Sequence, residues 1–440
     1  FGQYFNRHET WAEMAKPWVD YMSRSGFMLQ QGRNFADVAY FIGEERPITQ
    51  LFEDHALKDL PRDYAYDFVN TEILRSQLTV QGHDLASRSG ARYRVLYLGG
   101  DSQRMTLPAL TRLAALAEAG ATIVGRAPVA TPSLADDPKA FAALVRRLWS
   151  GRPTTPVGRG RVIDSTDVEA VLRGSGVGAD FSYDNPAADR EVLFLHRRLP
   201  DGDAYFIDNR KDRPETFDAR FRVAGRTPEI WRAETGASEP VSYRIEGGAT
   251  RVSLQMRPYD AFFVVFRKPT KVRAAIVGKP AWREAQILDG GWDVTFQPGR
   301  GAPASAHLDK LSSLSESADP GVRYFSGTAT YTKSFRASLQ PGRKTLLDLG
   351  RIGDVAEVSV NGVPVGTAWN APYRLDVTKA LRPGENKVEV KVADLWVNRL
   401  IGDKQPGAKK VTFTTAPTYK ADAPLRPSGL IGPVTLLTGS

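Results

Sequence analysis

Trp369-Asn370-Ala371-Pro372-Tyr373 and Trp396-Val397-Asn398-Arg399 set aromatic rings beside amide and guanidinium groups. Such a set suits a sugar, whose C–H face stacks on a ring while its hydroxyls take hydrogen bonds from polar neighbours. Two readings stand for these loops. Trp369, Trp396, Asn398 and Arg399 bind a saccharide, or the two tryptophans close the ends of a β-sandwich. Cleaving a glycosidic bond would need more: two carboxyl groups flanking it, held about 6.5–9.5 Å apart when the enzyme inverts configuration. The candidate carboxylates are Glu9 with Glu13 and the neighbours Glu44 and Glu45. A surface or capping glutamate is the commoner occupant of either setting, so neither pair is assigned as acid and base. Ser102, in the turn Gly99-Gly100-Asp101-Ser102, has no nearby histidine pattern to activate it as a nucleophile. A Gly-Gly pair alone is too weak a signal for a phosphate loop.

The elements that would position these groups follow from periodicity. Glu9 to Gln31 is amphipathic at the helical period through Trp11, Met14, Ala15, Trp18, Tyr21, Met22 and Ser25, with Pro17 expected to kink it or mark a restart. Phe35–Gly43, Tyr93–Gly100 and Ala121–Gly125 are buried-strand runs, alternating with helical stretches at Tyr66–Gln77, Leu107–Ala119 and Phe141–Trp149. That alternation predicts a doubly wound α/β domain over 33–175, closed by one more strand and a short helix between Arg161 and Gly174. Short strands at roughly ten-residue spacing follow, beginning with a hairpin over Pro200-Asp201-Gly202, and predict a small β domain over 176–275. His196 reads there as a strand-surface histidine. Ala281–Ser326 reads as a linker and sandwich entry. From Tyr324 the pattern sharpens. Asn361-Gly362 between two β-branched runs is a hairpin turn, and Lys387-Val388-Glu389-Val390-Lys391-Val392 alternates charge with valine. These residues predict a C-terminal antiparallel β-sandwich over 276–440.

Composition narrows the function classes. At 440 residues the chain should hold two to four domains. Its formal charge is +9, but 59 basic residues are scattered among 50 acidic ones with no basic helix, which argues against nucleic acid. No apolar run approaches the length of a membrane-spanning helix. The absence of cysteine excludes disulfides, thiolate zinc sites and cysteine nucleophiles, and fits either the cytosol or the periplasm. The first residue is Phe1, and nothing before Asn34 resembles a signal peptide. The expectation is a piece of a longer polypeptide.

The succession Gly327, Tyr331, Phe335, Asn361-Gly362, Trp369, Pro372-Tyr373, Asp376-Val377-Thr378 and Pro383-Gly384-Glu385-Asn386 resembles the jelly-roll, galactose-binding-like domain of family 2 glycoside hydrolases. Trp396-Val397-Asn398-Arg399-Leu400-Ile401-Gly402-Asp403 and Pro427-Ser428-Gly429-Leu430-Ile431-Gly432-Pro433-Val434 resemble the C-terminal end of family 106, the large α-L-rhamnosidases. Phe5-Asn6-Arg7-His8-Glu9-Thr10-Trp11, with Trp18, Tyr21, Arg24 and Gln30-Gln31-Gly32, is similar to the last strand-to-helix loop and last helix of that family's (β/α)8 catalytic barrel. The resemblance implies that residues 1–32 end the barrel, and that Asn6, Arg7, His8 and Trp11 belong to the rim of a substrate site. The alternative is a helix start at which Arg7 and Glu9 only cap and pair. The α/β domain resembles a glutamine-amidotransferase-like fold without its cysteine, a scaffold against the barrel.

What is known of family 106 further implies an exo-acting, inverting enzyme on rhamnose-containing glycosides, with two catalytic glutamates upstream of Phe1, a calcium ion and a periplasmic or extracellular location. No EF-hand spacing is present, although Asp376, Asp394 and Asp403 could offer some calcium ligands. A modular β-galactosidase-like glycosidase and a non-catalytic carbohydrate-binding or structural protein are the competing classes.

Overall fold

The computed structural model describes residues 8–45, 57–184, 187, 189–278, 280–338, 342–414 and 418–439. The chain divides into two compact units, Arg24–Val277 and Phe1–Ser23 with Gly278–Ser440.

In the unit Arg24–Val277 a six-stranded sheet runs in the order Tyr66–Val69, Val38–Phe41, Val95–Leu98, Thr122–Val124, Gly160–Ile163, Thr154–Val157. Neighbouring strands are parallel except the last pair, Gly160–Ile163 with Thr154–Val157. Val38–Phe41 and Val95–Leu98 are buried at every position, which is why they read as continuous apolar runs rather than alternating ones. Leu96 and Ile123 pack with Leu110, Leu113 and Phe141 in one core, while Tyr40, Tyr97 and Val124 pack with Val168 and Leu172 in another. Tyr66–Gln77 is not one helix. Tyr66–Val69 is a strand at the sheet edge, and the helix Thr71–Ser76 starts only where the Asn70 side chain accepts from Ile73 N at 2.9 Å.

Two further sheets of this unit face each other over a core containing Tyr205, Phe217, Phe221, Leu254 and Phe262. One is built on the hairpin Val192–Leu199 with Gly202–Asn209, to which Ala261–Pro269 is paired. The other is built on Glu215–Phe221 paired with Ala249–Met256.

In the other unit, Phe1–Ser23 with Gly278–Ser440, two sheets form the antiparallel sandwich. The first runs Ser305–Leu308, Trp292–Phe296, Gly327–Ala337, Gly384–Asp394, Val355–Val360, Val363–Ala368, and the second Trp282–Ile287, Thr435–Gly439, Lys344–Asp348, Arg374–Asp376. Asn361 and Gly362 turn the hairpin with φ of 54° and 79°, a conformation that favours glycine and asparagine. Val388, Val390 and Val392 are fully buried while their charged neighbours point outward. Ala281–Ser326 is not a linker. Trp282–Ile287 and Trp292–Phe296 are sandwich strands, and the Trp292 ring lies in the core at 1% exposure. The N-terminal segment forms a 3-10 turn at Ala12–Met14 and restarts as the helix Lys16–Gln30, with Pro17 in its first turn, where the missing N–H costs nothing.

Candidate functional site

The sandwich loops and the N-terminal segment meet within one unit. Trp396 precedes the short helix Val397–Gly402, and its Nε1 donates to the carbonyl of His8 at 3.0 Å. The Arg300 guanidinium lies 4.5 Å from the Trp396 ring centroid. Trp369 packs against Tyr21 with ring centroids 5.3 Å apart, and Trp11 meets Trp18 edge-on at 5.9 Å. Four residues singled out in the sequence, His8, Trp11, Trp369 and Trp396, therefore belong to one unit, with Trp369 and Trp396 both in direct contact with the N-terminal segment. Burial raises the pKa of Glu9, the residue after His8. Asn6 and Arg7 lie outside the described residues.

Asn398 and Arg399 face inward. The Asn398 amide donates to the Arg426 carbonyl at 2.8 Å and to Ser428 Oγ at 3.3 Å, and accepts from Arg426 N at 2.8 Å. Arg399 is 5% exposed, with its Nε 3.0 Å from Asp403 Oδ1 and its backbone N–H on Ser326 Oγ. The Asn398 side chain and the Arg399 backbone N–H fasten the Val397–Gly402 helix to the sandwich, while the Arg399 side chain pairs with Asp403 at that helix's own C-terminal end.

The remaining candidates occupy separate structural settings. Glu44 accepts from Thr106 N at 2.6 Å and Thr106 Oγ1 at 3.0 Å, at the start of the helix Leu107–Glu118. Glu45 pairs with Arg104 at 3.4 Å. Ser102 Oγ is buried and donates toward the carbonyls of Gly99 and Phe41.

His196 is not a surface histidine. It is 2% exposed, with Nδ1 3.0 Å from Asp180 Oδ2, Nε2 3.0 Å from Asp203 Oδ1, and its ring stacked on Tyr205 at 4.0 Å. Arg222 joins the cluster through Asp37 at 2.6 Å and Asp180 at 3.5 Å. Burial by itself lowers the His196 pKa, but the two carboxylates outweigh it and the net direction is upward. Sequence spacing concealed the cluster because Asp180, Asp203 and Arg222 lie on different segments and meet only through tertiary packing.

Asp376, Asp394 and Asp403 do not gather around a common point suited to calcium. Asp376 accepts from Thr378 N. Asp403 is occupied by Val411 N, Thr412 N, Thr412 Oγ1 and Arg399. Asp394 is buried, its Oδ1 accepting from Gly429 N at 2.6 Å, and burial pushes its pKa up to about 8. Among the described residues there is no group of three or more histidine, aspartate or glutamate side chains placed to hold a metal ion.

Comparison with known proteins sets these observations in a family. A model described as alpha-L-rhamnosidase, glycoside hydrolase family 106, matches residues 1–245, and one described as the glycosyl hydrolase 2 galactose-binding domain-like fold matches residues 315–423. The structure of a rhamnosidase from Novosphingobium sp. PP1Y is 53% identical over 100% of this chain and 42% of its own, with a TM-score of 0.90. A Formosa agariphila protein named "Putative beta-glucuronidase" is 25% identical over 99% of this chain and 58% of its own length. The chain thus spans about half the length of the relatives it matches. With the family match covering more than half of its residues and the sandwich motifs in place, the chain belongs to glycoside hydrolase family 106, the α-L-rhamnosidases.

Proposed function

We propose that this chain is the C-terminal part of an exo-acting α-L-rhamnosidase that releases terminal α-L-rhamnosyl residues with inversion of configuration. The observation that carries this reading is the 53% identity to a rhamnosidase, sustained over the whole chain. On this reading residues 1–32 end a (β/α)8 barrel, and the loop through His8 and Trp11 forms part of the rim of its site, where loops after strands gather. The segment 33–175 is a glutamine-amidotransferase-like scaffold, 176–275 a small β domain and 276–440 a galactose-binding-like sandwich. The acid and base are glutamates on segments ahead of Phe1. Two of the candidate carboxylates here fit that placement: Glu44 accepts from the helix-capping residue Thr106, and Glu45 is paired with Arg104. Calcium also belongs to residues outside those described here, since Asp376, Asp394 and Asp403 do not fit it, and no step is assigned to it. A periplasmic or extracellular location accords with a glycan substrate.

A β-glucuronidase is the second reading, favoured by the Formosa relative at 25% identity. The longer polypeptide, offered p-nitrophenyl α-L-rhamnoside, β-D-glucuronide and β-D-galactoside, is expected to release nitrophenol from the rhamnoside alone. Release from the glucuronide or galactoside without the rhamnoside would reject the proposal.

A further inference from the structure

The two tryptophans whose surroundings suggest sugar binding are engaged with the chain itself. Trp396 donates its indole N–H to the His8 carbonyl at 3.0 Å, and Arg300 covers the same ring at 4.5 Å. Trp369 is turned against Tyr21. The Trp396 contact is made from an anchored segment. Asn398 makes three hydrogen bonds to Arg426 and Ser428, and the Arg399 backbone N–H donates to Ser326 Oγ, so the helix that begins at Trp396 is fastened to the sandwich at two points. Ser313 Oγ in turn accepts from Ser428 N at 2.9 Å, which ties that segment to the body of the sandwich.

We infer that the end of the sandwich is a clamp for the segment His8–Tyr21, with Trp396 as a positioning residue that fixes the His8 backbone and Trp369 as a second contact on Tyr21. The sandwich of this chain then acts on substrate indirectly. It holds the loop that carries His8 and Trp11 rather than binding saccharide through its own rings. The catalytic consequence rests on the rim reading given above, whereas the clamp itself does not. The physical argument is preorganisation: a loop held within a few tenths of an ångström of its productive position loses little freedom when substrate arrives, and a small displacement from a remote change is costly. A donor on a rigid support 388 residues away in sequence serves this purpose because it does not move with the loop.

Trp396→Phe keeps a ring under Arg300 and removes only the donated hydrogen bond. In the 440-residue chain, amide exchange over residues 9–14 is expected to speed up about fivefold or more, the ratio set by one lost hydrogen bond, with the sandwich melting transition unchanged. Trp396→Ala, which also removes the ring, should raise exchange further. Unchanged exchange in both variants would overturn the clamp. So would rhamnose-induced quenching of tryptophan fluorescence that is present in the parent chain and lost in Trp396→Ala, because the ring would then face sugar. In the longer polypeptide, Trp396→Phe should lower kcat/KM on the rhamnoside by about the same factor through kcat more than through KM. Faster exchange with unaltered kinetics would leave the clamp standing and reject the placement of His8 and Trp11 at the rim.

Discussion

Asp394 lies at the heart of the sandwich with Oδ1 on the Gly429 N–H at 2.6 Å, while its Oδ2 and the Tyr331 hydroxyl are buried without a hydrogen-bond partner. Burial raises its pKa to about 8, so the carboxyl is neutral through most of the physiological range. Because this folded value lies above the unfolded value of 3.8, only the folded state keeps the proton between the two, so the sandwich should lose stability as pH rises from about 4 to about 8 and level off above that. Asp394→Asn is expected to flatten that decline, gaining on the order of 2–4 kcal/mol at pH 9 relative to the parent. Thermal melts of both proteins from about pH 4 to about pH 8 measure it; parallel curves over that range would show that the buried acid has no such role. A Cβ on Gly429 would collide with the Tyr331 hydroxyl, and its φ of 77° strains any side chain. Gly429→Ala should therefore cost about 2–4 kcal/mol by urea unfolding.

His196 contributes with a defined sign. Its pKa is raised in the fold despite burial, since Asp180 and Asp203 face the ring from either side, with Tyr205, Phe35 and Arg222 completing the surroundings. The protonated ring stabilises this cluster fully below pH 6.5, and the contribution fades as pH climbs through the higher folded pKa. His196→Gln should cost about 2–4 kcal/mol at pH 6 and visibly less at pH 9. A loss independent of pH would mean that the ring acts by packing alone.

At the scale of elements, hydrogen bonds to short helices decide between catalytic and structural roles. Glu44→Ala removes the two bonds that hold Thr106 at the start of the helix Leu107–Glu118, and is expected to cost about 1 kcal/mol of stability. In the longer polypeptide kcat on a rhamnoside should be unaltered; a thousandfold fall in kcat would return Glu44 to the catalytic candidates. Which elements could be read from sequence follows the strength of local signals. Asn361-Gly362 and the Lys387–Val392 alternation are local patterns that tertiary packing does not override. Tyr66–Val69 reads as helix because four residues with two aromatics fit either period until Asn70 is recognised as the cap. The strands Trp282–Ile287 and Trp292–Phe296 were hidden in a polar, glycine-containing stretch whose partners, Thr435–Gly439 and Gly327–Ala337, lie far along the chain. The aromatic loops were visible as such. That Trp396 would meet His8, and that Asn398 and Arg399 would turn inward, depended on long-range packing that no local spacing encodes.

At the scale of the whole molecule, each unit has its own buried core, so the residues described here are well supplied with apolar packing. Glu44, Glu45 and Ser102 are committed to caps, an ion pair and backbone carbonyls, and the sandwich loops grip the N-terminal segment. The chain spans about half the length of the relatives it matches, and the proposal that the acid and base lie ahead of Phe1 is the point to test. The direct measurement is a paired assay of the 440-residue chain and the longer polypeptide on p-nitrophenyl α-L-rhamnoside under one set of conditions. The account predicts turnover by the longer polypeptide and none by the 440 residues; hydrolysis of the rhamnoside by the 440 residues alone would contradict it.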